Sequence, residues 1–355
     1  MAAVTESPSI VTVEPDHMMA QIVKITSISP IPKADKIEIA QVLGWEVVVG
    51  KGDFKVGDLA IFFSIDSVLD VTHPAVAGSR FAGKPLKTVK MFGVTSQGLL
   101  GSLDWLEHTG LDKSVVKEDD DVTKQMGVKK WVPSGEEDTY LAESKGDTFP
   151  SYVPKTEEER VQNISRKLPL YENKNVVLTQ KFDGASTTVG ANDDKFFVCS
   201  RNTTLDKDNE THDTSHFFEI VKRYDLERKI LELKRNIAIQ GETIGPKING
   251  NRHKMTERDF FVFNIYDIDA KAYVSYDEIL DITSKLGLKT VTLVYRGVMK
   301  PEWLNVNALM ELAEKQKYPT GEKAEGLVLK TDYGIGHPRM SCKIVAKNYL
   351  IKHNL

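Results

Sequence analysis

Between His17 and about Leu103 the chain repeatedly alternates apolar and polar residues in short runs. Gln21-Ile22-Val23-Lys24-Ile25 does so, as does Lys36-Ile37-Glu38-Ile39-Ala40-Gln41-Val42, and a period of two is the mark of a half-buried strand. Glu46-Val47-Val48-Val49 follows a Gly44-Trp45 turn, and Leu59 to Phe63 follows the turn at Lys55-Val56-Gly57-Asp58. Leu86 to Met91 and Gln97 to Gly101 supply a last pair. Five or six short strands in about 90 residues, separated by Gly- and Pro-marked turns, predict a small closed β-barrel.

The later part of the chain reads differently. Thr156-Glu157-Glu158-Glu159 has the form of a capping box and predicts a helix through Ile164. The apolar run Val176-Val177-Leu178-Thr179 predicts a strand that delivers Gln180-Lys181-Phe182-Asp183-Gly184 into a turn. Further strands are expected at Ala185–Val189, Lys195–Asn202, Asn236–Glu242, Asp259–Ile268, Glu325–Lys330 and Met340–Val345. Helices are expected at His216–Leu233, Tyr276–Leu286 and Val306–Lys317. Strands and helices interleave without a βαβ rhythm, so the expected class is α+β on antiparallel sheet. Residues 104 to about 155 are irregular apart from a short helix at Val122–Met126, and Glu118-Asp119-Asp120-Asp121 reads as a solvated acidic loop rather than a metal site. The expected organisation is a flexible start at 1–16, a barrel domain at 17–127, a linker at 128–155 and a second domain at 156–355.

At 355 residues the chain can bury two cores, and no apolar run approaches membrane-spanning length. Cys199 and Cys342 form no CxxC pair, which points to a reducing compartment without structural zinc. A soluble intracellular protein, cytoplasmic or nuclear, is the expectation. The net charge of −4 excludes a global field for nucleic acid, so phosphate must be bound by local Lys and Arg. His212 and His216 have an i,i+4 spacing but no evident third ligand, and a polar loop entering a helix accounts for both.

Lys181-x-Asp183-Gly184 is the pattern a covalent nucleotidyltransferase needs, since a neutral lysine can attack an α-phosphate and carry the nucleotide as a phosphoramidate. Four more blocks follow in order: Ser200-Arg201-Asn202, Gly241-Glu242, Phe263-Asn264-Ile265-Tyr266-Asp267, and Glu325-Gly326-Leu327-Val328-Leu329-Lys330, closed by Ser341-Cys342-Lys343. Any one is weak; the ordered set resembles the covalent nucleotidyltransferases, which include DNA ligases, RNA ligases and capping enzymes. The stretch Pro30 to Ile37, with Gly44-Trp45, Asp66 to Leu69 and Ser96 to Leu99, resembles the N-terminal OB domain of certain RNA ligases. With that domain in front, the chain from 17 to 355 resembles the Naegleria-type ATP-dependent RNA ligases.

The resemblance implies an OB-like barrel followed by an adenylyltransferase domain that seals 5′-phosphate and 3′-hydroxyl RNA ends. Lys181 would take AMP from ATP. Asp183, Glu242 and Glu325 would engage Mg²⁺ or Mn²⁺ largely through its waters. Arg201 and Glu242 would contact the ribose, and Phe263 and Val328 would sandwich the adenine. Gln180 would belong to the nucleotide site, Lys343 would face the α-phosphate, and Arg160 would hold the departing pyrophosphate. Similar ligases often end in Lys-x-Lys, whereas here Lys343 is followed by Lys347. If Lys343–Val345 is a strand, alternation puts both on one face, while Lys330 and Arg339 compete for the second role. The expected partner is RNA, by default a nicked duplex, bound in part through Lys24, Lys33, Lys36, Lys51, Lys55, Lys87 and Lys90. A monomer acting away from membranes is expected. The alternatives are a DNA ligase or capping enzyme, disfavoured because those usually carry the OB domain after the catalytic one, and an inactive RNA-binding module.

Overall fold

The computed structural model describes residues 10–15, 17–132, 147–209, 213–332 and 334–355. It divides into two compact units, Met1–Ser134 with Leu350–Leu355, and Gly135–Tyr349. Among the described residues no helix is long and apolar enough to cross a membrane.

The first unit is built on five antiparallel strands: β1 (Ala20–Pro30), β2 (Ile37–Val42), β3 (Trp45–Gly50), β4 (Leu59–Phe63) and β5 (Leu99–Gly101). Their order is β3-β2-β1-β4-β5. β1 pairs with β4 through Ala20–Lys24 and with β2 from Ile25 onward, and a register shift between Ile25 and Ser27 bends it, so one strand serves both halves. The sheet nearly closes, because the Gln97 N–H donates to the Glu46 carbonyl (2.9 Å) and the Val48 N–H to Ser96 Oγ (2.9 Å). Val23, Val42, Trp45, Val47 and Phe62 fill the interior. This is the OB-like barrel that the alternation predicts.

The outer faces of β1 and β4 are buried as well, beneath Leu69, Leu86, Leu106, Val122 and Met126. Much of the irregular stretch therefore serves as cover. Val122–Met126 forms turns instead of the expected helix, because Thr123 Oγ1 is bolted to β1, accepting the Met19 and Ala20 N–H groups at 2.9 Å. Thr12–Val13, expected to be loose, pairs with Lys130 and Trp131.

The second unit holds two sheets. The smaller has the order β11-β6-β12-β13, made of β6 (Asn175–Lys181), β11 (Leu293–Val298), β12 (Gly326–Thr331) and β13 (Ser341–Val345). The larger centres on β7 (Ala185–Asn192), β8 (Lys195–Cys199), β9 (Ile237–Ile244) and β10 (Asp259–Asp267), in the order β8-β7-β9-β10 with short strands at its margins. Among the described strands pairing is antiparallel except where β10 meets Lys289–Thr290, and a single parallel bridge joins Arg160 to Lys343 of β13. Helices α1 (His216–Tyr224), α2 (Leu226–Glu232) and α3 (Tyr276–Leu286) share the main core with the larger sheet through Phe217, Ile220, Ile230, Ile239, Val262 and Ile282. α4 (Val306–Glu314) packs beside β13, and α5 (Lys347–His353) ends the chain.

Two further expectations, both in the second unit, fail for local reasons. The helix expected over His216–Leu233 breaks at Asp225, whose φ of 54° ends α1 and redirects the chain so that Leu226 and Ile230 of α2 are also fully buried. The capping box at Thr156–Glu159 opens no helix. The Lys343 N–H donates to the Glu159 carbonyl (2.8 Å) and the Val161 N–H to the Lys343 carbonyl (2.9 Å), so the segment lies extended along β13. The Glu158 carboxylate accepts from Arg339 and Ser341.

Candidate functional site

Phe182-Asp183-Gly184 carries the chain from the end of β6 in the smaller sheet to the start of β7 in the larger. A Cβ on Gly184 would lie 2.3 Å from the Thr243 carbonyl oxygen, so only glycine permits that approach. The Gly184 N–H donates to Glu242 Oε1 at 3.0 Å. Lys181 ends β6 directly opposite Gly326 of β12, and its Nζ lies 2.7 Å from Oε2 of the preceding residue, Glu325. The predicted lysine and the three predicted carboxylates thus converge on one turn, although Lys181 and Glu325 are 144 residues apart in sequence.

Charge explains the resting state. Burial presses the Lys181 ammonium down, but Glu325, Glu242 and Asp183 outweigh it and hold the pKa above the ordinary lysine value. Burial lifts the Glu242 carboxyl to about 8, with Glu325 and Asp183 adding to the rise and Lys181 opposing it. Asp183 behaves oppositely: burial would raise it, but Arg252, the Tyr349 hydroxyl and Lys181 keep it low. Its Oδ1 accepts from Asn249 Nδ2 at 2.7 Å, and its Oδ2 accepts from Arg252 and Tyr349. Among the described residues no three His, Cys, Asp or Glu side chains converge closely enough to ligate an ion directly. The donor set is hard carboxylate oxygen, and a divalent ion held through water would suit it and favour the ionised form of Glu242.

A cationic cluster lies beside this one. Arg201 follows β8 and reaches Glu157 Oε1 at 2.7 Å, and Lys343 Nζ lies 3.8 Å from the same oxygen. Arg160 pairs with Lys343 through the backbone. Burial and the nearby Arg160 draw the Lys343 pKa down to about 8, with Glu157 opposing. Cross-strand register puts Lys343 opposite Val328, and Val328 opposite Thr179, two residues before Lys181 on the same face.

Val328 and Phe263 are both half-buried, one on each sheet. Lys330, two residues beyond Val328 on the same face, joins them. Its Nζ donates to the Phe263 carbonyl and to Asn264 Oδ1, both at 2.8 Å, and lies 5.4 Å from the Phe263 ring. Burial and Arg339 lower its pKa to about 7. Arg339 itself binds Glu158 and lies 4.0 Å from the Tyr273 ring. Lys330 and Arg339 are thus engaged within the protein. The strand carrying Lys343 ends at Val345 and Lys347 opens α5, so the alternation that would align the two lysines stops short. Gln180 is buried, and its amide donates to the Lys317 carbonyl at 2.7 Å. His212 lies outside the described residues. His216 stacks on Phe217, with centroids 4.0 Å apart, at the start of α1.

Sequence reasoning missed Asn249, Arg252, His253, Tyr318, Tyr349 and Glu157. The only signal for the first three was the Gly- and Asn-rich run Gly245-Pro246-Lys247-Ile248-Asn249-Gly250-Asn251, which promises a sharp loop without saying what it surrounds.

Residues 174–347 match the RNA ligase family model, and residues 19–103 match an OB-fold domain model. A search of curated proteins returned no match. Among solved structures, the chain is similar to Naegleria gruberi RNA ligase. An apo point variant of that enzyme has a TM-score of 0.83 and 30% identity over 95% of this chain and 98% of the other. Another point variant, with ATP and Mn, gives 0.83 and 30% over 96% and 100%. The enzyme with PPi gives 0.83 and 30% over 95% and 99%.

Proposed function

The chain belongs to the RNA ligase family, and from that premise we propose that it joins a 5′-phosphate to a 3′-hydroxyl of RNA at the expense of ATP, through an adenylate carried on Lys181. The observation that carries this reading is the meeting of Lys181 Nζ with Glu325 at 2.7 Å, beside Glu242 and at the foot of the Arg160, Arg201 and Lys343 cluster. A lysine among carboxylates next to a row of cations is arranged to receive a charged phosphate and expel another.

In the first step Lys181 Nζ attacks the α-phosphorus in line, the bond to the β-phosphate oxygen breaks, and pyrophosphate leaves. Arg160 and Lys343 are assigned to hold phosphate oxygens as this charge moves. Arg201 and Glu242 are assigned to the ribose, and Phe263 and Val328 to the faces of the adenine. Glu242 and Glu325, with Asp183 behind them, would hold Mg²⁺ or Mn²⁺, whose charge would favour the neutral amine of Lys181 and offset that of the α-phosphate. In the second step an oxygen of the RNA 5′-phosphate attacks the adenylate phosphorus and releases Lys181. In the third, the 3′-hydroxyl attacks the activated 5′-phosphate and AMP departs.

The RNA is proposed to be a nick in a duplex. The working unit is proposed to be the monomer, since one chain supplies every residue named. The test is label transfer from ATP labelled at the α-phosphate, followed by a chase with unlabelled nicked RNA or DNA. Label should remain on denatured wild type, be absent from Lys181→Ala, and discharge with sealing of RNA. Label from GTP alone would move the protein to the capping class, and no label from any nucleotide would sink the reading.

A further inference from the structure

We infer that Tyr318 and His253 are positioning residues for the lysine nucleophile, an assignment that rests on the lysyl-adenylate reading above. Tyr318 lies in the turn between α4 and β12. Its ring is buried, with 2% exposed, and its hydroxyl makes two hydrogen bonds of 3.0 Å. It donates to the Lys181 carbonyl and accepts from the Glu325 N–H. One oxygen therefore fixes the end of β6 relative to the start of β12, at the point where their side chains meet. A phenol suits this because one group both gives and takes a hydrogen bond.

His253 supports the same turn from its other end. Its ring stacks on Tyr318, with centroids 3.7 Å apart and planes inclined by 25°, and lies 4.7 Å from Phe182. Its Nε2 accepts the Asp183 N–H at 3.1 Å, which assigns the ring proton to Nδ1. The backbones of Lys181, Asp183 and Glu325 are thus all referred to one aromatic stack. The stack is held in turn, since Gln180 Nε2 grips the Lys317 carbonyl at 2.7 Å and the Tyr318 N–H donates to the Glu322 carbonyl at 2.8 Å.

The Tyr318 hydroxyl and His253 Nε2 are both engaged with backbone rather than aimed at a substrate. Their loss should therefore misplace the attacking nitrogen without weakening the grip on ATP. A displacement of about 1 Å can cost about 100-fold in rate, whereas nucleotide affinity comes from the cations and the adenine pocket.

Single-turnover transfer of labelled AMP from ATP to the full-length protein tests this on wild type, Tyr318→Phe, His253→Gln and His253→Leu. Tyr318→Phe keeps the ring and loses only the hydroxyl. It should slow lysyl-adenylate formation about 10- to 100-fold while the half-saturating ATP concentration changes less than about twofold. His253→Gln can still offer an oxygen to the Asp183 N–H and should run faster than His253→Leu. A wild-type rate in Tyr318→Phe, or a loss that saturating ATP restores, overturns the assignment and leaves the ligase reading standing. If Tyr318→Phe does not fold, the comparison at residue 253 decides, and equal rates for Gln and Leu overturn it. Absence of adenylate on wild type would instead bring down the reading beneath it.

Discussion

A methyl group on Gly184 would meet the Thr243 carbonyl oxygen at 2.3 Å, Ile244 Cγ2 at 2.6 Å and Glu242 Cγ at 3.0 Å. The first of these is backbone in the middle of a paired strand and cannot step aside. Gly184→Ala should therefore cost about 1–3 kcal/mol, as overpacking does, and should also shift Glu242 relative to Lys181. Thermal unfolding reports the first effect and label transfer the second. A variant that folds as stably as wild type and labels as fast would show that the turn tolerates a side chain. Much of this site was legible in sequence because Lys181, Glu242, Glu325 and Lys343 each sit in a short local pattern. Arg252, Tyr318 and Tyr349 were not. Each reaches the site from a loop or helix with no pattern of its own, and Tyr349 lies 166 residues from the Asp183 carboxylate it binds.

Elements were read well where both ends carried their own signals. α3 begins at Ser275, whose Oγ accepts the Glu278 N–H at 3.3 Å, and stops at Gly287 with a φ of 73°. Thr156–Glu159 had an equally good start signal, yet β13 took up the backbone groups that a helix would have used. Local propensity yields to a waiting strand edge. α1 carries a prediction of its own. His216 is half-buried, its Nε2 has no hydrogen-bond partner among the described residues, and burial with the nearby Arg258 lowers its pKa from 6.5 to about 4. The folded state thus favours the neutral ring. The stability this contributes is fully present above the unfolded value of 6.5 and is lost as pH falls towards the folded value of about 4. His216→Phe removes that titration, so its melting temperature should gain on wild type as pH drops through this window. A difference that stays constant with pH would refute the account.

At the scale of the whole molecule the net charge of −4 means that an RNA substrate would have to be held by local cations against an unfavourable average field. Of the seven barrel-domain lysines that sequence offered for this, Lys24, Lys33, Lys36, Lys51, Lys55 and Lys90 are exposed, while Lys87 is half-buried with its ammonium 4.0 Å from the Trp131 ring. Lys36 and Lys51 are neighbours, because the Lys51 N–H donates to the Lys36 carbonyl at 2.9 Å where β2 and β3 part. Two lysines on adjoining strand ends can reach successive phosphates more readily than scattered ones. Each phosphate neutralised contributes about 0.7–0.9 to the slope of log affinity against log salt. The double variant Lys36→Glu, Lys51→Glu should therefore bind nicked RNA more weakly at low salt and show a slope shallower by up to about 2. Lysyl-adenylate formation serves as the internal control, since its residues all lie in the Gly135–Tyr349 unit. An unchanged salt slope would take these two lysines out of the RNA path. A fall in adenylate formation of the same size as the loss in sealing would instead assign the barrel to the nucleotide step, with the two lysines acting on the ATP phosphates.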